Sequence, residues 1–198
     1  MEEKRGDIIT YPTLYACISR ITTDIGKLPF SLRRREGGIW QQVDNPAYSP
    51  VLRKPNHYQT AAQFREQWML SKLTNGNAYI MKRSDIRGVV TALYVLDPEK
   101  VMPMVSDSGE VFYQLKGDKL NRLPDDYPAE NLVVPASEII HDRCMTVHHT
   151  LIGVPPLAAA SWPSVKNMKI LRNATEFFSN NAQPGGILTA PAGMSQKD

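Results

Sequence analysis

Leu73-Thr74-Asn75-Gly76-Asn77-Ala78-Tyr79-Ile80 is the stretch where a helical pattern stops and a strand pattern starts. Upstream, Ala61 to Leu73 carries Phe64, Trp68 and Leu73 with charged residues between them, which suits an amphipathic helix. Thr60 stands at its start, with Gln63 at the capping-box position. Asn75-Gly76-Asn77 supplies residues that tolerate positive φ, so the helix can cap and the chain can reverse. Ala78 to Met81 then reads as a strand. A helix feeding directly into a strand sets the expectation of an α+β fold.

Working outward, Thr10 to Leu28 reads as a first helix, with Leu14, Ile18, Ile21, Ile25 and Leu28 forming one apolar stripe. Thr10 is placed to cap it, Pro12 suits its first turn, and Gly26 and Pro29 bracket its end. Phe30 to Arg35 and Ile39 to Val43 flank Glu36-Gly37-Gly38, the pattern of a β-hairpin half-buried on one face. Ala47 to Leu52 reads as a short helix ended by Lys54-Pro55-Asn56. Downstream of the junction, Ala78–Arg83, Val89–Leu96, Val101–Val105 and Val111–Lys116 are strands separated by turn-forming residues, which predicts an antiparallel meander. Asp118 to Pro135 reads as a surface loop and Glu138 to Arg143 as one more strand.

From Pro155 the character changes. Leu157 to Asn180 carries an apolar arc of Met168, Ile170, Leu171, Ala174, Phe177 and Phe178, with Lys166, Lys169, Arg172, Asn173 and Glu176 on the opposite side. Pro163 should bend this helix or set its start, and the piece after it would run roughly 25 Å. Ile187-Leu188-Thr189 begins a strand with no partner after it, so the sequence reads as a fragment. The predicted architecture is antiparallel strands packed with helices, followed by a long helix.

A chain of 198 residues with 42% hydrophobic and 22% charged content can bury a core, and its net charge of +3 does not by itself call for nucleic acid or membrane. No apolar run approaches the roughly 20 residues needed to span a bilayer, and the N-terminus lacks the apolar core of a secretory signal. Cys17 and Cys144 are too few for a disulfide framework. These features predict a soluble intracellular protein without a membrane partner.

Candidate chemistry is sparse. His141, Asp142, Cys144, His148 and His149 form the densest set of ligand-type residues, readable as a metal site or as a strand end followed by a polar loop. Cys144 near histidines could serve as a nucleophile, but nothing marks an oxyanion site, and a structural thiol is the plainer reading. No phosphate-binding Gly-rich motif occurs, and Asp125-Asp126 lies in a Pro-flanked loop. No catalytic residue, metal or cofactor is assigned. Two basic clusters remain, Arg33-Arg34-Arg35 and the Lys166, Lys169, Arg172 strip, each able to face phosphates, solvent or a neighbouring subunit. Trp40, Trp68 and Trp162 are dispersed and make no stacking platform.

Read in order, several short motifs resemble the HK97-type phage portal proteins. They are Lys27-Leu28-Pro29-Phe30, Leu52-Arg53-Lys54-Pro55-Asn56 with Thr60 and Phe64, Gly76-Asn77-Ala78-Tyr79, and Leu96-Asp97-Pro98 with Val101. Glu138-Ile139-Ile140-His141, Gly153-Val154-Pro155-Pro156-Leu157, and Phe177-Phe178 with Asn180, Pro184-Gly185-Gly186 and Leu188 complete the series. Pro155 departs from the pattern, since that family more often has Ser before the Pro-Leu pair.

The resemblance implies a structural, non-enzymatic subunit of a ring at one vertex of a tailed-phage or prophage head, assembled in the host cytoplasm. Such rings are usually dodecamers through which double-stranded DNA is packaged and ejected. Their partners are other portal subunits, the terminase, and capsid and head-completion proteins. Residues 1–153 would form the wing, 154–183 a stem-type helix, and 184–198 the start of the clip. Lys166, Lys169 and Arg172 become candidates for contact with DNA or a neighbouring subunit, and Met168, Leu171, Phe177 and Phe178 for contact between subunits. The alternatives are a nucleic-acid-binding module built on the same three cations and a metal-dependent enzyme at His141, Cys144 and His148.

Overall fold

The computed structural model describes residues 11–117, 132–147 and 149–179. The Thr10 cap, the Asp125-Asp126 pair, His148 and the strand expected at Ile187 lie outside the described residues.

The first helix, α1 (Pro12–Lys27), has proline in its opening turn, where the missing N–H costs nothing. Its buried line is Ile18, Thr22 and Gly26, with Leu14 and Ile25 half-buried. Ile21 and Leu28, expected in the stripe, are exposed instead. The reason is close helix packing: a Cβ on Gly26 would stand 2.5 Å from Glu66 Cγ, so α1 turns its small residues toward the next helix.

The strands β1 (Arg33–Glu36) and β2 (Ile39–Gln42) form the expected hairpin through Gly37-Gly38, both at positive φ. It is exposed on both faces rather than half-buried, with Ile39 and Trp40 68% and 62% accessible. A short helix, α2 (Ser49–Arg53), leads to Asn56, whose amide donates to Leu93 O and whose Oδ1 accepts from Gln59 N. Next comes α3 (Ala61–Asn75), opened by the predicted capping box: Gln63 N donates to Thr60 Oγ1 and Thr60 N to Gln63 Oε1.

The strands divide into two antiparallel sheets. One has the order β4-β3-β8, from β3 (Asn77–Ser84), β4 (Val90–Leu96) and β8 (Ile139–Arg143). The other has the order β5-β6-β7, from β5 (Val101–Val105), β6 (Val111–Leu115) and β7 (Leu132–Pro135). The single meander is thus corrected: β4 does not pair with β5, because Pro98–Lys100 forms a 3₁₀ corner that passes the chain to the second sheet. The surface loop is also corrected at its end, where Leu132–Pro135 pairs with β6.

The central strand β3 is buried on both faces, which explains its continuous run Ala78-Tyr79-Ile80-Met81. Tyr79 and Met81, with Tyr94 and Leu96, face Val101, Tyr113, Leu115 and Leu132 of the second sheet. Ile80 and Val95 turn the other way, onto Phe64 and the half-buried Trp68 of α3. The layers therefore run α1, α3, first sheet, second sheet.

The last described helix, α4 (Pro156–Ser179), begins earlier than Pro163 and runs through it. Its 24 residues span about 36 Å. Its first half is docked: Leu157 is buried against Ile18, with Leu14, Leu73 and Val165 around them, Ser164 is buried, and Asn167 Nδ2 donates to the Tyr11 hydroxyl. No helix among the described residues is long and apolar enough to cross a membrane.

Candidate functional site

The opening junction turns out to be where the root of α4 is held. Gly76 caps α3 in the left-handed region at φ 74°, and its N–H donates to Lys72 O at 2.9 Å. Its carbonyl accepts from Cys144 N at 2.8 Å. Gly153 lies so close that a Cβ on Gly76 would stand 2.2 Å from its carbonyl oxygen, and a Cβ on Gly153 would stand 2.3 Å from Gly76 O. Both positions are therefore restricted to glycine by backbone approach.

The Asn77 side chain spans the same gap. Its Oδ1 accepts from Gly153 N at 2.9 Å, and its Nδ2 donates to Gly153 O at 3.2 Å and to Asn75 O at 3.1 Å. His141 Nε2 lies 3.1 Å from the same Oδ1, while Nδ1 lies 3.1 Å from the Tyr113 hydroxyl. One proton arrangement satisfies every group: Tyr113 donates to Nδ1, and Nε2–H donates to Asn77. The ring also stacks on Tyr79 at 4.3 Å. Burial chiefly, helped by the nearby Arg143 cation and opposed by Asp142, lowers the His141 pKa to about 4. Burial likewise raises the Tyr79 pKa to about 12.

The His141, Asp142, Cys144 and His149 side chains are dispersed by these contacts. Asp142 points to α3, accepting from Lys72 Nζ at 2.7 Å and Trp68 Nε1 at 3.0 Å. The Cys144 thiol donates to Lys72 O, and His149 Nδ1 accepts from Leu151 N. Among the described residues no three His, Cys, Asp or Glu side chains are grouped to hold a metal ion. Each of the four described candidates is engaged in holding the chain together.

Arg65 is a buried side chain that the sequence reading did not single out. Its Nε and Nη2 donate to Gly26 O at 3.1 and 2.7 Å, and its guanidinium lies over the Phe30 ring. A cation on the last turn of α1 also complements that helix's dipole. Only its position within an amphipathic pattern was available as a signal, and that pattern marks an arginine as solvent-facing.

Along α4, Lys166, Lys169 and Arg172 are exposed, and Arg172 pairs with Glu176 at 3.7 Å. Ile170, Leu171, Phe177 and Phe178 are exposed as well, whereas Met168 is half-buried. The positions 170, 171, 174, 177 and 178 form one continuous apolar stripe at helical spacing. The layered α+β domain thus ends in a long helix docked through its first half and carrying an exposed apolar stripe on its second. The geometry presents no catalytic constellation among the described residues.

Comparison with known proteins identifies the class. The family model described as phage portal protein matches residues 12–198, and the chain belongs to that family. It is 25% identical over 185 residues to the portal protein of Enterobacteria phage HK97, covering 92% of this chain and 41% of that protein. It is 23% identical to the probable portal protein of Streptomyces phage phiC31, covering 96% and 41%. An uncharacterized protein of Rickettsia bellii (strain RML369-C) is 26% identical, with coverage of 88% and 43%. The chain thus spans about two fifths of the length of these relatives. In fold it is similar to a chain of the native gene transfer agent virion, with a TM-score of 0.70, 16% identity and coverage of 96% and 52%. It is also similar to an HK97-family portal protein from Corynebacterium diphtheriae, with a TM-score of 0.57, 16% identity and coverage of 98% and 57%.

Proposed function

We propose that this chain forms the outer, wing-like part and the first stem-type helix of a portal subunit, a structural component of a ring at the head vertex of a tailed phage or prophage. Double-stranded DNA passes through such a ring during packaging and ejection, driven by a separate terminase, and capsid and head-completion proteins dock on it. The subunit assembles in the host cytoplasm and functions in the virion. Residues up to about 153 belong to the wing in this reading, and α4 belongs to the stem. Residues 184–198, assigned to the start of the clip, lie outside the described residues.

The observation that carries the reading is the uncovered stripe on α4. A helix docked through its first half, with Ile170, Leu171, Phe177 and Phe178 exposed together on its second, needs partner surface there. Neighbouring stem helices of a ring supply that cover. The exposed cations Lys166, Lys169 and Arg172 then face either the channel or an adjacent subunit.

Electron microscopy of a full-length portal protein carrying this chain, coexpressed with its head proteins, tests the proposal. A ring with a central channel is expected, usually of twelve subunits. A uniform monomer in the presence of capsid proteins overturns it. Tight, steeply salt-dependent binding of duplex DNA by the monomer would favour the nucleic-acid-binding alternative instead.

A further inference from the structure

We propose that Asn77 is the positioning residue for α4: its side-chain amide clamps Gly153 and so sets the direction in which the helix leaves the domain, with His141 and Tyr113 holding that amide in the clamping orientation.

The clamp uses the whole hydrogen-bonding capacity of one side chain. A primary amide has two acceptor sites and two donor hydrogens. Here Oδ1 takes Gly153 N–H and His141 Nε2–H, and Nδ2 gives to Gly153 O and Asn75 O. A flipped amide would set an N–H group against the Gly153 N–H and an oxygen against two carbonyls. The orientation is therefore fixed by its four partners, and the partner outside the local chain on β8 is His141.

Burial does little to hold the clamped segment. Ile152 and Val154, on either side of Gly153, are both exposed. An open cleft of about 440 Å³ adjoins them, bordered by Tyr79, Pro98, Val101 and Pro155. What fixes this segment is polar: the Asn77 clamp, the bridge between Gly153 and Thr146, and Val154 N donating to Met145 O. The last two bonds stay within one loop and tie it only to itself. Asn77, with the Cys144 N to Gly76 O bond and the Cys144 thiol donating to Lys72 O, ties that loop to α3 and β3.

The link from clamp to helix is short and stiff. Gly153 is followed by Val154, Pro155 and Pro156, and Pro156 is the first residue of α4. Each proline fixes its own φ and restricts the residue before it, so an angular change at Gly153 passes into the helix with little absorbed between. Over the roughly 20 Å from Leu157 to Lys169, a tilt of about 15° at the root displaces the helix by about 5 Å. In a ring built on the proposed function, the same clamp would set the angle between wing and channel wall. That consequence rests on the portal reading, whereas the clamp itself does not.

Electron–electron spin distances within the isolated chain provide the test. Nitroxides are placed at Ile86→Cys, on the exposed β3–β4 turn, and at Lys169→Cys, with Cys17→Ser and Cys144→Ser removing the native thiols. The parent should give one narrow distance distribution. Asn77→Ala should shift or broaden it by several ångströms, and Tyr113→Phe should broaden it by less. Val51→Ala serves as a control, because it opens a cavity beneath α2 and lowers stability away from the clamp; its distribution should match the parent's. An unchanged distribution in Asn77→Ala overturns the proposal. Should that variant not fold, an unchanged Tyr113→Phe distribution does so. Ring formation does not enter these distances, so failure of the clamp and failure of the portal reading are separate results.

Discussion

At Gly76 two costs of adding a methyl group coincide, and Gly88 separates them. Both residues sit at almost the same positive φ, 74° and 76°, yet a Cβ on Gly88 would meet nothing within 4 Å. Gly88→Ala should therefore show only the left-handed backbone penalty, about 1 kcal/mol. Gly76→Ala adds a collision with the Gly153 backbone and should cost about 3 kcal/mol or more. Urea unfolding of the two variants reads the difference, and equal losses would show that the close approach is not rigid. His141 offers a second residue-level check. Its folded pKa of about 4 lies below the ordinary value near 6.5, so the unfolded chain takes up a proton first. The groups facing it are Tyr79, Tyr113, Asn77 and the neighbouring charges Arg143 and Asp142. Stability from the neutral ring is complete above about pH 6.5 and falls as pH drops toward 4. At pH 5, allowing for the solvent that reaches the ring, the loss is about 1 kcal/mol. Comparing urea midpoints at pH 7 and pH 5 should show this loss in the parent and a smaller one in His141→Gln.

The elements show what local chemistry encodes and what it leaves to tertiary neighbours. The Thr60–Gln63 cap, the Gly76 stop and the Gly37-Gly38 turn were readable because each is a contest within four residues of chain. Strand pairing was not, since turn-forming residues at Asp97-Pro98 announce a change of direction without saying which strand follows as neighbour. There the chain takes a 3₁₀ corner into a second sheet, and β8 arrives from far along the sequence to fill the place beside β3. The α1 stripe was shifted for a related reason: hydrophobic spacing cannot know that Gly26 will be pressed against Glu66. Asn77 was visible only as a turn residue, because Gly153 and His141 lie 76 and 64 positions away. Arg65 was hidden in the same way, its acceptor lying 39 residues upstream. Replacing it should loosen two elements at once. Arg65→Met keeps much of the side-chain volume but leaves Gly26 O without its charged donors, and should cost about 2 kcal/mol. Hydrogen exchange should then accelerate in the last turn of α1 before it does in α3, whereas uniform acceleration would place the effect elsewhere.

At the scale of the whole molecule, stability and assembly should come apart along α4. The domain's burial lies in the two sheets, α3 and the Leu157 contact, none of which uses the apolar stripe beyond the middle of the helix. Phe178 is 72% accessible, and Leu171 and Phe177 are also exposed, so their replacement removes little that the folded chain relies on. Leu171→Glu with Phe177→Glu should change the unfolding free energy by about 0.5 kcal/mol or less per site, as surface substitutions usually do. The same pair introduces two charges into whatever surface covers the stripe, where burying an unpaired carboxylate is strongly unfavourable. Ring formation by a full-length portal protein carrying these changes, coexpressed with head proteins, should therefore fail, read by electron microscopy, while the thermal midpoint of the isolated chain stays close to the parent's. Lys169→Glu with Arg172→Glu provides the opposing case, for these side chains lie on the side of the helix away from the stripe. If α4 lines a channel, that pair should leave rings intact and lower the amount of DNA retained in heads. Rings that survive the Leu171 and Phe177 changes would show that subunits meet elsewhere, and the exposed Ile39 and Trp40 of the β1–β2 hairpin would then be the surface to substitute next.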